Sequence, residues 1–464
     1  MRIETVFRKE FTENSRLDSS YYLSDGALAN RLVNVLSKQN EYVQLGNKKI
    51  ANIWQPNRNI IVYAGENEEY VPYIQPYDIL EYLPEERSRL STHQNDIDAL
   101  SVKTGTILQT CSGRNLGPLV IADKYLERFI LGSDLIRISI EDECIKYYVY
   151  AFLNTDIGQA LLHSSKTGSV IDHLSIKDVE KIKIPLVNKE DIKIISEKIR
   201  DSFFTYSKAR MNLYELKKNF VKTIGVYREQ ISLAQGWSCM FSSLGGLGGK
   251  DRIDAAYYDP ATEAAVRKLK ADEGIELAKV GEVIKPGGRY KTNYVERGYG
   301  KPLISGRQLL QNHVVGMKYL PYSNSTDFEK FELKEGYIAY PADGRVEGRL
   351  GTPVYISQSR AGWYASGHVG RVKAKDGIDP GYLYMAMIHP VVQAQIYSIA
   401  CGSVVDAVYP DDMEKIIIPK AIDFPYEQVV EAWNMFDKAE TLKTEACEML
   451  SKLLKQKYHS LTTK

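Results

Sequence analysis

Two short turns hold the residues best suited to surface chemistry: Cys111-Ser112-Gly113-Arg114-Asn115-Leu116-Gly117 and Asp343-Gly344-Arg345-Val346-Glu347-Gly348-Arg349. Glycine exposes backbone amides and arginine adds a rigid fork of donors, so such turns suit phosphate oxygens and the acceptor edge of guanine. Ser112, Gly113, Arg114, Asn115, Asp343, Gly344, Arg345 and Arg349, joined by Arg307, are the candidate DNA-binding residues. The plainer alternative for each turn is a tight hairpin with a solvated arginine. Tyrosine is abundant, at 32 residues, and stands beside cations in Arg289-Tyr290-Lys291 and Lys318-Tyr319. Rings beside cations suit a nucleic-acid surface, although tyrosine also packs β-rich cores. Trp363, Tyr364 and His368 follow a strand pattern, where core packing is the default expectation.

Catalytic chemistries leave weaker traces. The seven histidines are scattered and the five cysteines include no Cys-x-x-Cys, so no zinc or disulfide pattern forms. There is no Gly-x-Ser-x-Gly elbow and no Pro-Pro dipeptide, which removes the common serine-hydrolase signature and the Asn/Asp-Pro-Pro-aromatic loop of an adenine methyltransferase. Carboxylates of a nuclease centre could hide among Asp134, Glu141, Asp142 or Glu180-Lys181, but such short patterns are those of ordinary surface charge. The run Ser242-Ser243-Leu244-Gly245-Gly246-Leu247-Gly248-Gly249-Lys250-Asp251 fails as a phosphate loop. Leu244 stands where that loop needs glycine, and Asp251 where it needs Ser or Thr. No catalytic residue and no metal ligand is assigned.

The elements that position the turns come in two copies. Arg16-Leu17-Asp18-Ser19-Ser20-Tyr21-Tyr22 returns as Arg252-Ile253-Asp254-Ala255-Ala256-Tyr257-Tyr258, an offset of 236 (16 to 252). Gly168-Ser169-Val170-Ile171-Asp172 returns as Gly402-Ser403-Val404-Val405-Asp406, an offset of 234 (168 to 402), and the same offset relates Lys181-Ile182-Lys183-Ile184-Pro185 to Lys415-Ile416-Ile417-Ile418-Pro419. The two arginine turns lie between these anchors at an offset of 231 (114 to 345). The tyrosine pairs are read as fixing the entry of each domain. Runs at 73–75, 106–109 and 135–138 are rich in β-formers and bounded by turn residues, predicting strands; Ile145 to His163 has helical spacing.

A long helix follows each copy. From Glu190 to about Arg228 there is no proline, and Ile192, Ile199, Tyr206, Leu213, Phe220 and Tyr227 recur every seven residues, with Ile195, Ala209 and Leu216 as a second stripe. That heptad predicts a coiled-coil helix about 60 Å long. From Tyr426 to about Tyr458 a looser stripe of Val429, Phe436, Leu442, Ala446, Met449 and Leu453 repeats the device. These stripes are the candidate surfaces for helix pairing and partner docking. Gln235 to Lys250 reads as a flexible linker.

Composition agrees with an ordinary globular chain. The 464 residues allow about three units of domain size, with 44% apolar and 26% charged residues. Sixty Lys and Arg nearly cancel 59 Asp and Glu, so nucleic-acid affinity must come from local patches. Met1 to Phe11 lacks the apolar run of a signal peptide, and no window approaches the roughly 20 apolar residues of a membrane span, so a cytoplasmic protein is expected.

The doubled order of entry motif, Gly-Ser-Val-x-Asp segment, Lys-Ile-x-Ile-Pro exit and long helix resembles the specificity subunits of type I restriction-modification systems. The resemblance spans nearly the whole chain. It implies an α+β fold of two mixed α/β target recognition domains, related by internal duplication and each followed by a long helix, the two helices packing as an antiparallel coiled coil. The expected boundaries are 1–187 and 251–421 for the domains, 188–234 and 422–464 for the helices, and 235–250 for the linker. It further implies that each domain reads half of a bipartite double-stranded DNA target, with the helices as a ruler. Two methylation subunits and restriction subunits would be the partners. S-adenosylmethionine and ATP would be held by those partners, with no cofactor in this chain. Alternatives are the targeting part of an enzyme that cuts beside its site, a duplicated protein-binding scaffold, and a cryptic nuclease.

Overall fold

The computed structural model describes residues 22–112, 116–164, 173–228, 255–284, 293–322, 329–345, 349–402 and 405–462. Segments 16–21, 168–172 and 252–254 of the repeated motifs, Ser403 and Val404, and the glycine-rich segment 235–250 lie outside the described residues. The chain forms two units, one of residues 1–208 with 438–464 and the other of residues 209–437.

Unit 1 begins with helix α1 (Asp25–Gln39) and strands β1 (Tyr42–Gln44), β2 (Ala51–Trp54), β3 (Tyr70–Ile74) and β4 (Ser88–Ser91). Helix α2 (Ile97–Leu100) precedes β5 (Ile107–Thr110), β6 (Leu119–Ile121), β7 (Ile130–Leu131) and β8 (Leu135–Ile140). Helices α3 (Glu143–Asn154), α4 (Asp156–Ser164) and α5 (Ile176–Glu180), strand β9 (Lys183–Pro185) and the start of α6 (Lys189–Ile224) follow. One sheet has the order β2-β8-β5-β6, a second β4-β3-β7, and β1 pairs with β9. The strands expected at 73–75, 106–109 and 135–138 are β3, β5 and β8.

Unit 2 takes the rest of α6, then α7 (Pro260–Ala271), β10 (Ile275–Glu276), α8 (Leu277–Val280), β11 (Gly281–Ile284), β12 (Gly300–Ile304), α9 (Gly306–Leu309) and β13 (Lys318–Pro321). Strands β14 (Ile338–Pro341), β15 (Asp343–Gly344), β16 (Val354–Tyr355), β17 (Tyr364–Ala365) and β18 (Val369–Ala374) lead to α10 (Pro380–Met387) and α11 (Pro390–Ile399). Then come β19 (Asp406–Ala407), α12 (Pro410–Met413), β20 (Ile417–Ile418) and α13 (Tyr426–Thr462), whose later part belongs to unit 1. Sheet orders β11-β18-β14-β16 and β13-β12-β17, with β10 beside β20, reproduce those of unit 1 strand for strand. The register matches too: Ile107↔Ile138 becomes Ile338↔Val372, and the parallel pair Tyr73↔Ile130 becomes Leu303↔Tyr364.

Polar ties repeat with the strands. Tyr148 Oη donates to the Pro185 carbonyl at 2.8 Å, and Tyr382 Oη to the Pro419 carbonyl at 2.7 Å, tying each exit strand to a buried helix. Gln159 Nε2 donates to the carbonyls of Gly117 and Leu153, and Gln393 Nε2 to those of Gly351 and Met387. Buried Arg137 donates to the carbonyls of Ala99 (2.6 Å), Leu100 (2.8 Å) and Ser101 (2.8 Å). Its equivalent Arg371 donates to those of Glu332 (3.1 Å) and Lys330 (2.6 Å). Burial draws the Arg137 pKa down to about 10 and lowers that of Arg371. Both remain cations whose hydrogen bonds hold the end of a short helical turn on the larger sheet.

Several expectations are corrected. The single helix from Ile145 to His163 is two, α3 and α4, because the Thr155 hydroxyl donates to the Phe152 carbonyl (2.6 Å) and accepts from the Gly158 amide (3.0 Å), ending one helix and starting the next. A Cβ on Gly158 would lie 2.1 Å from the Phe152 oxygen, so this junction needs glycine. Helix α6 stops at Ile224, leaving Tyr227 exposed. Ile192, Ile199, Leu213 and Phe220 are buried, and Tyr206 is half-buried with its hydroxyl on the Glu81 carbonyl at 3.3 Å. In α13 the buried seats include Val429, Trp433, Phe436, Ala439, Lys443, Ala446, Leu450 and Leu454, while Leu442, Met449 and Leu453 lie half-buried at the margin. Lys443 takes a buried seat because Glu440 pairs with it at 2.8 Å. Burial alone would lower its pKa, yet Glu440 turns the shift upward.

In unit 1, Ile192, Ile195 and Ile199 share a core with Ala446, Leu450 and Leu454. Ser202 Oγ donates to the Ala439 carbonyl at 2.6 Å and Lys198 pairs with Glu445 at 2.6 Å. Numbers rise on one helix as they fall on the other, so these two segments run antiparallel. Ile192, Ile195, Ile199 and Ala446 of the stripes thus pack inside unit 1. Tyr22 and Tyr258 are buried, as expected of a domain entry.

Candidate nucleic-acid interface

The two predicted turns leave the same strand corner. In unit 1, β5 runs into Ser112, which forms a β-bridge with His173, and the Leu174 amide donates to the Cys111 carbonyl at 2.9 Å. In unit 2, β14 runs into β15, where Asp343 pairs with Ala407, and the Val408 amide donates to the Ala342 carbonyl at 2.9 Å. A third strand reaches each corner, bringing Asp134 just before β8 and His368 just before β18. From Ser112 to Gly117 is five positions; from Asp343 to the equivalent Gly351 is eight, so the second turn is three residues longer.

Equivalent seats carry different side chains. In unit 1, Arg58 Nη2 lies 2.6 Å from Asp134 Oδ1 and 3.2 Å from His173 Nε2. A guanidinium only donates, so His173 Nε2 accepts and its Nδ1 carries the proton, donating to Ser112 Oγ at 3.0 Å. The Ser112 hydroxyl then donates to Asp134 at 3.3 Å, closing a ring of four side chains. In unit 2 the carboxylate has moved to the other strand: Asp343 Oδ2 meets His368 Nδ1. The His368 side chain is 56% exposed, so it is a surface partner of Asp343 rather than a core residue.

Of the residues singled out in the sequence, Ser112 and Asp343 face these corners, while Gly113, Arg114 and Asn115 lie outside the described residues. Gly344 is half-exposed and Arg345 exposed. Arg307 is exposed on α9, whose Gly306 rests on Pro341 and the His368 carbonyl, so the fold brings Arg307 near the corner. Arg349 is corrected: only 6% exposed, with a left-handed backbone (φ 72°), its guanidinium is tucked into the fold and not offered to a ligand. Cys111 is buried as well, and burial raises its thiol pKa.

Sequence reasoning missed Arg58 and His173, whose only signal is exposed polarity on loops. It also missed the rings that cations cover. Arg89 sits 4.4 Å over the exposed Tyr70 ring, and Lys318 covers Tyr294 at 4.4 Å rather than its neighbour Tyr319. Both pairs involve the smaller sheet of their unit or its flank. Arg289, Tyr290 and Lys291 lie outside the described residues. Among the described residues no group of three or more His, Cys, Asp or Glu side chains could hold a metal, and no helix is long and apolar enough to cross a membrane.

Residues 38–219 match the family model described as the type I restriction modification DNA specificity domain. A solved S subunit of a type I restriction-modification system from M. genitalium is 13% identical over 91% of this chain and 95% of its own, with a TM-score of 0.30. The HsdS subunit from Thermoanaerobacter tengcongensis is 12% identical over 91% of this chain and 95% of its own, at 0.25. A type IIG restriction endonuclease aligns with 42% of this chain and 30% of its own at 9% identity and a TM-score of 0.29. No curated protein sequence matches the chain.

Proposed function

We propose that the chain is the specificity subunit of a type I restriction-modification complex, in which each copy of the repeat recognises one half of a bipartite duplex target. The observation that carries this reading is the repetition of one strand frame with different polar residues at the same corner, in a chain whose first copy matches a DNA specificity domain. Two half-sites of different sequence call for two such readers. Partner subunits would supply adenine methylation with S-adenosylmethionine and restriction with ATP; this chain contributes recognition and no catalytic step.

The chain reconstituted with a methylation subunit should methylate adenines within one split motif. Methylation without sequence preference would end the proposal. Reversing charge at Arg307 and Arg345 to glutamate should weaken duplex binding about tenfold or more at low salt and flatten its salt dependence. Unchanged affinity and salt slope would favour a protein-binding scaffold instead.

A further inference from the structure

The loop between β2 and β3 carries four consecutive exposed residues, Asn57, Arg58, Asn59 and Ile60, none of which belongs to the turns singled out in the sequence. Both ends of the loop are pinned. Gln55 Nε2 donates to the Ser133 carbonyl at 2.7 Å, and Asn95 clasps Val62 through both its amide (3.0 Å) and its carbonyl (2.8 Å). A cavity of about 110 Å³ lies under the loop, lined among others by Asn57, Asn59, Ile60, Asn95 and Ser133. Ile60 is 90% exposed, an uncovered aliphatic side chain beside three exposed polar residues.

Arg58 is aimed as well as exposed. Asp134 and His173 hold its Nη2, while Nη1 and Nε have no partner among the described residues. The adjacent carboxylate makes a poor phosphate site, since it repels the same oxygens that the guanidinium would attract. A group that only donates fits the base whose major-groove edge offers acceptors alone, which is guanine through N7 and O6. Asparagine and an aliphatic side chain beside it match adenine and the thymine methyl in the same groove.

We propose that residues 57–60 form the base-reading loop of unit 1, with Arg58 taking a guanine edge in the major groove and Asp134 and His173 as its positioning residues. This rests on the recognition reading above and goes further by naming the loop, the base and the side chain. Arg58 belongs to unit 1, so its effect should fall on one half-site only.

The test selects from a pool of duplexes with a randomised segment, using the whole chain reconstituted with a methylation subunit, and repeats the selection with Arg58→Ala, Arg58→Gln and Asp134→Asn. The wild type should select a guanine in one half-site. Arg58→Ala should lower that preference roughly ten- to hundredfold and leave the other half-site unchanged. Arg58→Gln, which both donates and accepts, should move the preference at that position toward adenine, a change that a merely structural role would not produce. Asp134→Asn should blur the same position and have no added effect when combined with Arg58→Ala. An intact guanine preference in Arg58→Ala overturns the assignment, as does an equal loss on all duplexes with a flatter salt dependence, the mark of a phosphate contact. Failure of the wild type to select any motif overturns the recognition reading itself, and this assignment with it.

Discussion

Where two buried helices meet, unit 1 places Thr155 and unit 2 places His389, at the same position of the repeat. Both side chains accept a hydrogen bond from the start of the second helix: Thr155 from the Gly158 amide at 3.0 Å, His389 Nδ1 from the Val391 amide at 3.3 Å. The role is preserved and the chemistry is not. The corners differ in the same way, with one histidine and one carboxylate in each but the carboxylate on opposite strands. Apolar seats and backbone ties define the frame, and polar substitutions on it give the two units separate responses to solvent and ligand.

Removing the buried arginines should break that symmetry most strongly. Arg137 satisfies three carbonyls at the C-terminal end of α2 at 2.6–2.8 Å and Arg371 holds two carbonyls, so Arg137→Ala should cost unit 1 about 3–5 kcal/mol, and Arg371→Ala should cost unit 2 about 2–3 kcal/mol. Hydrogen exchange resolved by unit measures both. Equal losses would show that the number of carbonyls held does not set the cost.

Acid should separate the units next. Burial lowers the His389 pKa from 6.5 to about 4, with Lys217 nearby adding to the shift. Between those values the unfolded chain binds the proton and the folded chain does not. The contribution is therefore full above about pH 6.5 and falls by up to about 3 kcal/mol as the pH drops to 4. His389→Thr, copying unit 1, should remove this acid sensitivity from unit 2 in pH-dependent melting. A wild-type unit 2 no more acid-labile than the variant would refute the assignment.

The smallest effect should be symmetric. Tyr148→Phe and Tyr382→Phe each leave a proline carbonyl without its donor and should cost about 1 kcal/mol, alike in the two units, by denaturant titration. A difference above about 1 kcal/mol would mean the two exits are not equivalent ties.

The frame was largely legible in the sequence because apolar period and turn chemistry are local signals that the chain states twice. Strands β3, β5 and β8 and both long helices followed from it. The register of α13 was misread because Lys443 occupies a core seat, where Glu440 pairs with it. One helix was read where Thr155 makes two, since its capping bonds do not interrupt the apolar spacing. At the corner, Ser112 and Asp343 were found through duplication. Arg58 was not, because its partners lie 54, 76 and 115 positions away. Arg349 looked like a surface cation from its glycine neighbours, and its burial depends on packing that no local pattern records.

The three-residue difference in length between the turns reaches beyond present-day binding. The offset between copies is 231 at β5 and β14 and already 234 at Gly117 and Gly351, and it stays 234 through β8 and β18 to the exit strands. Codons have been gained or lost inside the turn without shifting the strand pairings on either side. For the gene, this corner is a place where in-frame insertion can test new surface chemistry while leaving the inherited frame untouched.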